Sequence, residues 1–386
     1  MKKIQVMIVE DSAVVSALLQ YCIGRDPRLE VCATAASAEE ALKMLERLPP
    51  DVIAPDVIAM DIRLPGMDGL EATRRIMSRK PVPIVVVAAP MESGKWNTIP
   101  MEALRAGALT VLEKPAGTTN ADYQRVAERL CTQLVIMSQV KLVRRNGRGE
   151  SPEADGWTPQ DRLPVLFKPV VFKPAVFKPA VFKPAVFKPG RFRMLGITCS
   201  TGGPQALEQL LRALGSDFPL PILLVQHMTA GFIQGFASWL ESVCPFQARV
   251  VNDGCIPVAG MVHMAPADRH LRLDSGMLWL DAGVPISFQC PSGTVLFESM
   301  ARDLGADALG VLLTGMGDDG ASGLLAIRRA GGFTIAEDES TAVVYGMPGA
   351  AVRIEAVCES LPLPAIAPRV LELAPAKQAI LRQEAH

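Results

Sequence analysis

Three kinds of side chain that together can cleave an ester or amide bond occur in the second half of the sequence. Ser200, His227 and the pair Asp318–Asp319 each stand within a few residues of the end of a short apolar run. A serine hydroxyl is a weak nucleophile until a base removes its proton, and a histidine can act as that base. A carboxylate can hold the imidazole in the right tautomer. The residue types therefore predict acyl transfer by Ser200, with His227 as base and one of the two aspartates as its partner.

These side chains can meet if the apolar runs are strands of one parallel sheet. Each run precedes a helical pattern of apolar residues, an alternation typical of a doubly wound α/β domain. The carboxyl ends of parallel strands lie along one edge, so the site is predicted there. Strands are predicted at 194–198, 221–226, 261–265, 308–314 and 333–336, helices at 205–214, 232–243, 294–304 and 319–330, and a hairpin at 270–280.

The turn after the first of these strands offers a nucleophile and a donor for a developing oxyanion. It reads Ser200-Thr-Gly-Gly-Pro204 and opens a helix, so the backbone N–H of Thr201 lies where the helix dipole favours negative charge. The N–H of Met316, in the glycine-rich loop after a later strand, is a second candidate donor. The turn also fits a phosphate-binding turn or an N-cap serine, and the adjacent Cys199 is an alternative nucleophile.

A second group of charged side chains lies in the first third of the chain. Residues 1–117 alternate strands with helices in five βα units, and Glu10, Asp11, Asp61 and Lys114 all follow strands. We expect them to converge at the carboxyl edge of another parallel sheet. Crowded carboxylates repel each other unless a cation lies among them, and oxygen ligands suit Mg²⁺. A carboxylate beside Mg²⁺ and a lysine can accept a phosphoryl group, because the cations offset the developing charge.

On these residues, positions 1–117 resemble a response-regulator receiver domain. The resemblance implies that Asp61 is the phosphoacceptor and that Lys114 is the lysine of the family pattern. It also implies that Mg²⁺ is bound by Asp11 (or Glu10), by Asp61 and by the backbone carbonyl of Arg63.

This part of the chain departs from the receiver pattern at two positions that take part in signalling phosphorylation in that family. Ala88 stands where a serine or threonine is usual, and Val111 where an aromatic residue is usual, so we expect a weakened or altered signal relay. A five-residue duplication, Asp51–Pro55 followed by Asp56–Met60, supplies the competing acid Asp56. Only Asp61 is followed by Pro-Gly-Met-Asp-Gly, so Asp61 remains the predicted acceptor.

A tandem repeat separates the two groups of reactive residues. Residues 144–191 begin with a polar stretch and continue with Phe-Lys-Pro every five residues, from Phe167 to Pro189. Proline at this period excludes a helix and favours polyproline II, so we expect a semi-rigid proline-rich linker. Each unit carries an aromatic residue and a cation and could dock a partner, but a repeat-expanded spacer needs none and is the preferred interpretation.

Residues 193 to about 355 resemble the catalytic domain of chemotaxis protein-glutamate methylesterases. The resemblance implies a catalytic triad of Ser200, His227 and Asp319, and it places Ser200 rather than Cys199 at the nucleophile position. The matching motifs are Ser200-Thr-Gly-Gly-Pro204, Gln226-His-Met228, Gly231-Phe232, Met264-Ala-Pro266 with His270, Leu313-Thr-Gly-Met-Gly-x-Asp-Gly320 and Tyr345-Gly-Met-Pro348.

The same resemblance implies an oxyanion hole made of the backbone N–H groups of Thr201 and Met316. Four features depart from that family's pattern: the segment 285–294, Trp239 and Gly349 where arginine is usual, and Asp318 where asparagine is usual. The segment, Trp239 and Gly349 are expected to line the substrate groove, so they bear on substrate choice more than on the type of reaction.

Composition and length set the wider frame. The chain has 386 residues, 49% of them hydrophobic and 20% charged. Its net charge is −1, so no overall excess of basic residues indicates nucleic-acid binding. We find no signal peptide or membrane span, and eight scattered cysteines fit a reduced cytoplasm. The predicted fold is two doubly wound α/β domains, the first flavodoxin-like and the second a Rossmann-like three-layer α/β/α esterase domain. The predicted boundaries are 1–117 receiver, 118–143 linker helix, 144–191 linker, 192–362 catalytic domain and 363–386 tail.

The sequence as a whole predicts a cytoplasmic, monomeric protein-glutamate methylesterase regulated by phosphorylation. The resemblances imply that it acts on methyl-accepting chemoreceptors, releases methanol, deamidates glutamines, and takes its phosphoryl group from a chemotaxis histidine kinase. They imply Mg²⁺ in the receiver and no cofactor for ester hydrolysis. Two alternatives remain open: an esterase for a receptor outside motility, and a non-catalytic module that responds to phosphorylation.

Overall fold

A computed structural model describes residues 3–46, 54–88, 99–115, 123–144, 165–168, 190–228 and 230–375. These residues fall into two compact units that divide between Lys168 and Pro169. Most of the Phe-Lys-Pro repeats lie outside the described residues, so the proline-rich linker stays a prediction. The domain boundaries proposed from the sequence also stay predictions.

The first unit is built on a five-stranded parallel sheet in the order β2-β1-β3-β4-β5. This is the flavodoxin-like order, so the doubly wound fold predicted for this part is confirmed. Strands β3 and β4 are apolar and almost wholly buried, as expected of parallel strands that helices cover on both faces. The elements are β1 (Ile4–Val9), α1 (Ala13–Gly24), β2 (Leu29–Ala35), α2 (Ala38–Glu46), β3 (Val57–Met60), α3 (Gly69–Arg79), β4 (Ile84–Ala88), α4 (Ile99–Arg105), β5 (Thr110–Glu113) and α5 (Tyr123–Met137).

The helix predicted at 118–143 ends earlier than expected. Helix α5 ends at Met137, where the N–H groups of Gln139 and Val140 bond three residues back and tighten the chain into a turn. Strand β6 (Lys141–Arg144) follows and pairs antiparallel with β7 (Val165–Lys168). Helix α5 contacts α1, β3 and β4 within the first unit. Phe167, the first repeat phenylalanine, therefore lies in a paired strand and not in polyproline II.

The second unit is built on a seven-stranded parallel sheet in the order β10-β11-β9-β8-β14-β15-β16. Helix α6 contacts α7 and α11, and helix α9 contacts α8 and α10, which agrees with the predicted three layers. The strands are β8 (Met194–Cys199), β9 (Ile222–Gln226), β10 (Gln247–Val250), β11 (Met261–Met264), β14 (Ala308–Leu312), β15 (Phe333–Glu337) and β16 (Glu359–Leu361), with the hairpin β12 (His270–Asp274) and β13 (Met277–Asp281). The helices are α6 (Gly203–Leu214), α7 (Ala230–Val243), α8 (Gly293–Leu304), α9 (Ala321–Arg329), α10 (Met347–Arg353) and α11 (Leu363–Leu373).

Strand β8 is the point where the strand order reverses. The chain proceeds from β8 to β9 on one side, and the later strand β14 pairs with β8 on the other. Ligand sites of open α/β sheets form outside the carboxyl ends of strands at such a point. Gly196 of β8 lets helix α8 pack closely, because a Cβ there would lie 2.5 Å from Met300 Sδ.

The C-terminal part of the second unit corrects the sequence interpretation. We predicted a peripheral tail from Leu363, but α11 packs against α6 and β15 and buries residues such as Ile366 and Val370. Proline is compatible with the first turn of a helix, and α11 has a proline there. Pro368 lies inside α11, which the sequence pattern did not predict. The short helical pattern at 376–383 lies outside the described residues.

Candidate active site and phosphoacceptor site

The predicted nucleophile, base and acid all lie at the carboxyl edge of the second sheet. Ser200 directly follows β8, His227 directly follows β9, and Asp319 lies in the loop after β14. These are three adjacent strands, since β8 pairs with both β9 and β14. Ser200 is half-buried, whereas His227 and Asp319 are buried. We call these three residues the esterase site.

His227 and Asp319 form a direct hydrogen bond. His227 Nε2 lies 2.8 Å from Asp319 Oδ2, and both side chains are almost inaccessible to solvent. The neighbouring Asp318 is exposed. The structure thus brings Asp319 rather than Asp318 to the histidine. This bond leaves Nδ1 as the ring nitrogen that can exchange a proton with another group.

Asp319 is fixed by the start of helix α8 as well as by His227. Ser292 Oγ donates to Asp319 Oδ1 at 2.5 Å, Gly293 N donates to Oδ2 at 2.7 Å, and Thr294 N donates to Oδ1 at 3.2 Å. Burial raises the pKa of Asp319, but the bonds from His227, Ser292 and Gly293 outweigh burial and hold the pKa below its ordinary value. The carboxylate is therefore ionised at neutral pH, as a partner of imidazolium must be.

The second ring nitrogen of His227 makes no hydrogen bond within the described residues. Its Nδ1 is buried and has no hydrogen-bond partner among the described residues, so Ser200 and His227 are not joined here. Catalytic hydrogen bonds are often long before substrate binds and shorten in the reacting complex. Nδ1 is thus available to receive a proton.

The two predicted oxyanion donors follow β8 and β14. In the described part of the chain, no group accepts a hydrogen bond from the backbone N–H of Thr201 or of Met316. The two loops approach each other closely at Gly315, where a Cβ would lie 2.9 Å from Ser200 Cβ and 2.2 Å from Met347 Sδ. Gly315 is therefore required for this approach, whereas Gly317 provides a positive φ of 90°.

Cys199 is an unsuitable nucleophile in this structure. It is completely buried at the end of β8, and burial raises the pKa of its thiol well above the ordinary value, with Glu337 adding to the rise. The other described histidines have structural partners: His263 Nε2 accepts from Val258 N at 3.2 Å, and His270 Nδ1 accepts from Ser292 N at 3.1 Å.

Several residues around the esterase site were missed by the sequence reasoning. Ser292 is the N-cap of α8, and the Pro-Ser-Gly-Thr sequence before a helical pattern is the signal that could have revealed it. Glu337, at the end of β15, accepts from Thr314 N at 2.8 Å, and the carbonyl of Thr314 accepts from Ser200 N at 3.0 Å. No local sequence signal marks Glu337, since its contact joins residues that are distant in the chain.

One of the expected groove residues is placed elsewhere. Trp239 is buried in α7 and stacks on Phe236, with the ring centroids 5.5 Å apart. It therefore does not line an exposed groove, and that expectation is wrong. The segment 285–294 includes Ser292 and the first two residues of α8. Its Phe288 is fully exposed.

In the first unit, the predicted acidic residues also meet at the carboxyl edge. Ligand atoms of Glu10, Asp11 and Asp61 all lie within 4.8 Å of one another. Lys114 Nζ lies 2.7 Å from Glu10 Oε2 and 2.8 Å from Asp61 Oδ2. Burial raises the pKa of Glu10, and the hydrogen bond from Lys114 opposes that rise. We call these four residues the phosphoacceptor site.

The donor set of the phosphoacceptor site fits a divalent cation. Three carboxylates face a single lysine, so their charge is not balanced, and Mg²⁺ prefers such oxygen ligands. Asp56 lies at the opposite end of β3 from Asp61 and bonds Gln5 N at 2.8 Å, away from this group. Ala88 ends β4, and its carbonyl accepts from Lys114 N at 2.8 Å. That the backbone carbonyl of Arg63 binds Mg²⁺ stays a prediction.

Comparisons with known proteins agree on both units. A family model described as "CheB methylesterase" matches residues 195–370, and one described as "Response regulator receiver domain" matches residues 6–122. None of the helices in the described residues has the length and apolar character needed to cross a bilayer.

Two relatives match along nearly the whole chain. "Protein-glutamate methylesterase/protein-glutamine glutaminase 2" of Paramagnetospirillum magneticum is 52% identical over 374 residues, covering 97% of this chain and 98% of the relative. "Protein-glutamate methylesterase/protein-glutamine glutaminase 1" of Syntrophus aciditrophicus is 41% identical over 372 residues, covering 96% and 98%. The crystal structure of the Thermotoga maritima CheB methylesterase catalytic domain matches with 34% identity and a TM-score of 0.46, over 47% of this chain and 99% of that one.

Proposed function

The chain belongs to the CheB methylesterase family and carries a response regulator receiver domain, and from this premise we propose how its two sites work together. We propose that the esterase site hydrolyses glutamate γ-methyl esters on methyl-accepting chemoreceptors and converts receptor glutamines to glutamates. We further propose that phosphorylation of Asp61 regulates this activity for chemotactic adaptation. The names of the relatives support both reactions.

Ester hydrolysis begins at Ser200. Its Oγ attacks the carbonyl carbon of the ester while the hydroxyl proton passes to His227 Nδ1, the nitrogen that has no partner in the described chain. The Nε2–H donated to Asp319 keeps the ring in the required tautomer, and the ionised carboxylate stabilises the imidazolium that forms. The negative charge on the carbonyl oxygen is offset by the N–H groups of Thr201 and Met316.

Collapse of this intermediate releases methanol. The bond to the methoxy oxygen breaks, and that oxygen takes the proton from His227 Nδ1, which leaves glutamate esterified to Ser200. Water then attacks the acyl-enzyme with the same histidine as base, and the products are the glutamate carboxyl and free Ser200. A glutamine side chain follows the same steps with ammonia as the leaving group.

The receiver supplies the regulatory input. Asp61 is proposed to accept a phosphoryl group from a chemotaxis histidine kinase, with Asp11, Asp61 and the carbonyl of Arg63 as Mg²⁺ ligands. Mg²⁺ supplies charge neutralisation on the phosphoryl oxygens when it is bound. Lys114, which already contacts Glu10 and Asp61, adds a second positive charge. A cytoplasmic location and a monomeric state are part of the proposal.

The observation that carries the proposal is the buried bond between His227 and Asp319 beside the strand that Ser200 directly follows. The experiment is methanol release from methylated receptor by the full chain and by Ser200→Ala. We expect methanol release to fall to background in the variant. Equal release by both proteins would refute the serine mechanism.

The regulatory part has its own test. Wild type, Asp61→Asn and Asp56→Asn are incubated with Mg²⁺ and a small phosphodonor, and the hydroxylamine-labile phosphoryl label is measured. We expect Asp61→Asn to lose the label and Asp56→Asn to keep it, because Asp56 lies at the other end of β3. Label that persists in Asp61→Asn and disappears in Asp56→Asn would assign the acceptor to Asp56.

A further inference from the structure

Gln226 is buried between the proposed nucleophile and the proposed base, and its side chain has three partners. It ends strand β9, directly before His227, and is 3% exposed. Its Nε2 donates to the backbone carbonyl of Ser200 at 3.0 Å and to that of His227 at 3.1 Å. Its Oε1 accepts from Cys199 Sγ at 3.0 Å. One amide thus contacts the chain on both sides of the gap that the proton must cross.

We propose that Gln226 is a positioning residue that fixes the distance between Ser200 and His227 through these hydrogen bonds. The inference rests on the proposed function of those two residues. Proton transfer requires Ser200 Oγ and His227 Nδ1 to approach within hydrogen-bond distance, and a displacement of about 1 Å can reduce the rate about 100-fold. In the described residues, the backbone pairing of β8 with β9 ends where His227 N donates to Cys199 O at 3.1 Å. Past this point, the two chain segments are held at this distance by the side chain of Gln226.

The chemistry of the three partners fixes the orientation of the amide. Two carbonyl oxygens can bind only the NH₂ end, and a thiol that keeps its proton donates to the oxygen end. Cys199 keeps its proton because burial raises the pKa of the thiol well above neutrality. Gly203 leaves the space for this arrangement, since a Cβ there would lie 2.1 Å from Gln226 Oε1 and 3.0 Å from Cys199 Sγ.

The test replaces the donor end of the amide with an acceptor of the same shape. Gln226→Glu presents an oxygen to both carbonyls, so we expect kcat for methanol release to fall about 100-fold while KM stays within about twofold. The matched control is Gln209→Glu, an exposed position on α6 of the same unit, which should keep kcat. Rates are normalised to the fraction of folded chain measured by circular dichroism, so that loss of folded protein does not enter kcat.

Cys199 provides a second, milder pair of variants. Cys199→Ser retains a donor to Gln226 Oε1 and should keep kcat within about twofold, whereas Cys199→Ala removes the donor and should lower kcat about fivefold. Thermal unfolding of all variants is recorded alongside. Unchanged normalised kcat in Gln226→Glu overturns the proposal. If that variant does not fold, equal kcat in the two Cys199 variants overturns it instead.

The proposed function fails in a different way. If wild type releases no methanol, or if Ser200→Ala releases as much as wild type, the reaction assignment is wrong whatever Gln226 does. Methanol release that depends on Ser200 but is indifferent to Gln226→Glu contradicts only the positioning role.

Discussion

Both sites hold buried carboxylates at the carboxyl edge of a parallel sheet, but different groups compensate the carboxylate charge in each. In the phosphoacceptor site, Glu10 and Asp61 share one lysine, with Nζ–O distances of 2.7 and 2.8 Å. In the esterase site, Asp319 receives hydrogen bonds from His227, Ser292, Gly293 and Thr294. The first arrangement leaves excess negative charge for a cation and a phosphoryl group. The second satisfies the carboxylate entirely from within the protein.

This difference corresponds to the proposed tasks. A regulatory site must change its charge and its contacts when a phosphoryl group arrives, so an incompletely balanced cluster is suitable. A catalytic carboxylate must keep one position and one charge through each turnover, which several fixed donors ensure. The carboxyl edge of a parallel sheet can therefore support either a switch or a fixed site, depending on what compensates the acids.

Four substitutions test this difference, in descending order of expected effect, and the first removes the charge of the fixed carboxylate. Asp319→Asn should lower kcat for methanol release by about 10⁴-fold, because the amide cannot stabilise imidazolium. The control Asp318→Asn alters the exposed neighbour and should change kcat by less than about twofold. Comparable losses in both variants would show that the buried bond to His227 is not decisive.

Glu337 is a buried acid at the edge of the esterase sheet, and no lysine or arginine of the described residues pairs with it, whereas Lys114 pairs with Glu10. Burial raises the pKa of Glu337 to about 7, and Asp338 adds to the rise, while bonds from Thr314 and Thr341 oppose it. The folded state therefore binds the extra proton between the ordinary pKa of 4.5 and about 7, so the free energy of unfolding falls as pH rises through that window.

Removing this group should remove that pH dependence. The free energy of unfolding of Glu337→Gln minus that of wild type should rise by about 3 kcal/mol from pH 4.5 to pH 8. Chemical denaturation of the full chain at both pH values measures the gain, and the exposed Glu339→Gln is the control. A gain of the opposite sign, or the same gain in Glu339→Gln, would contradict the assignment to the buried carboxyl.

The balance of charge in the phosphoacceptor site can be altered through Lys114. Its ammonium competes with Mg²⁺ for Glu10 and Asp61, so Lys114→Gln should tighten Mg²⁺ binding about tenfold. Isothermal titration calorimetry of the full chain measures this, with the exposed Lys43→Gln as control. Weaker binding in Lys114→Gln would mean that the lysine organises the metal ligands rather than competing for them.

The smallest expected effect concerns the missing hydroxyl at the end of β4. Ala88→Thr places a donor beside the carboxyl edge, where it can bond a phosphoryl group on Asp61, and such a bond contributes about 1 kcal/mol. We expect a small phosphodonor to stimulate methanol release about fivefold more in Ala88→Thr than in wild type. An unchanged ratio of stimulated to basal release would show that Ala88 does not limit the relay.

The sequence was most informative where local pattern and topology agree. Alternating apolar runs and helical patterns predicted both parallel sheets. Placement at strand ends predicted that His227 would meet one of the two aspartates, and the family resemblance implied Asp319. Strand β16 is only three residues long and α11 contains Pro368, so neither has the pattern of its class. Gln226 and Glu337 bond residues that follow or end neighbouring strands but are distant in the sequence, and residue type alone cannot show such contacts.

The central claim is that Ser200 is the nucleophile that His227 and Asp319 activate. The most direct measurement is reaction of the full chain with a serine-directed phosphonate probe, followed by peptide mapping of the adduct. We expect one adduct, on Ser200, that is absent in Ser200→Ala and forms far more slowly in Asp319→Asn. An adduct on another residue, or a chain that releases methanol yet carries no adduct on Ser200, would contradict it.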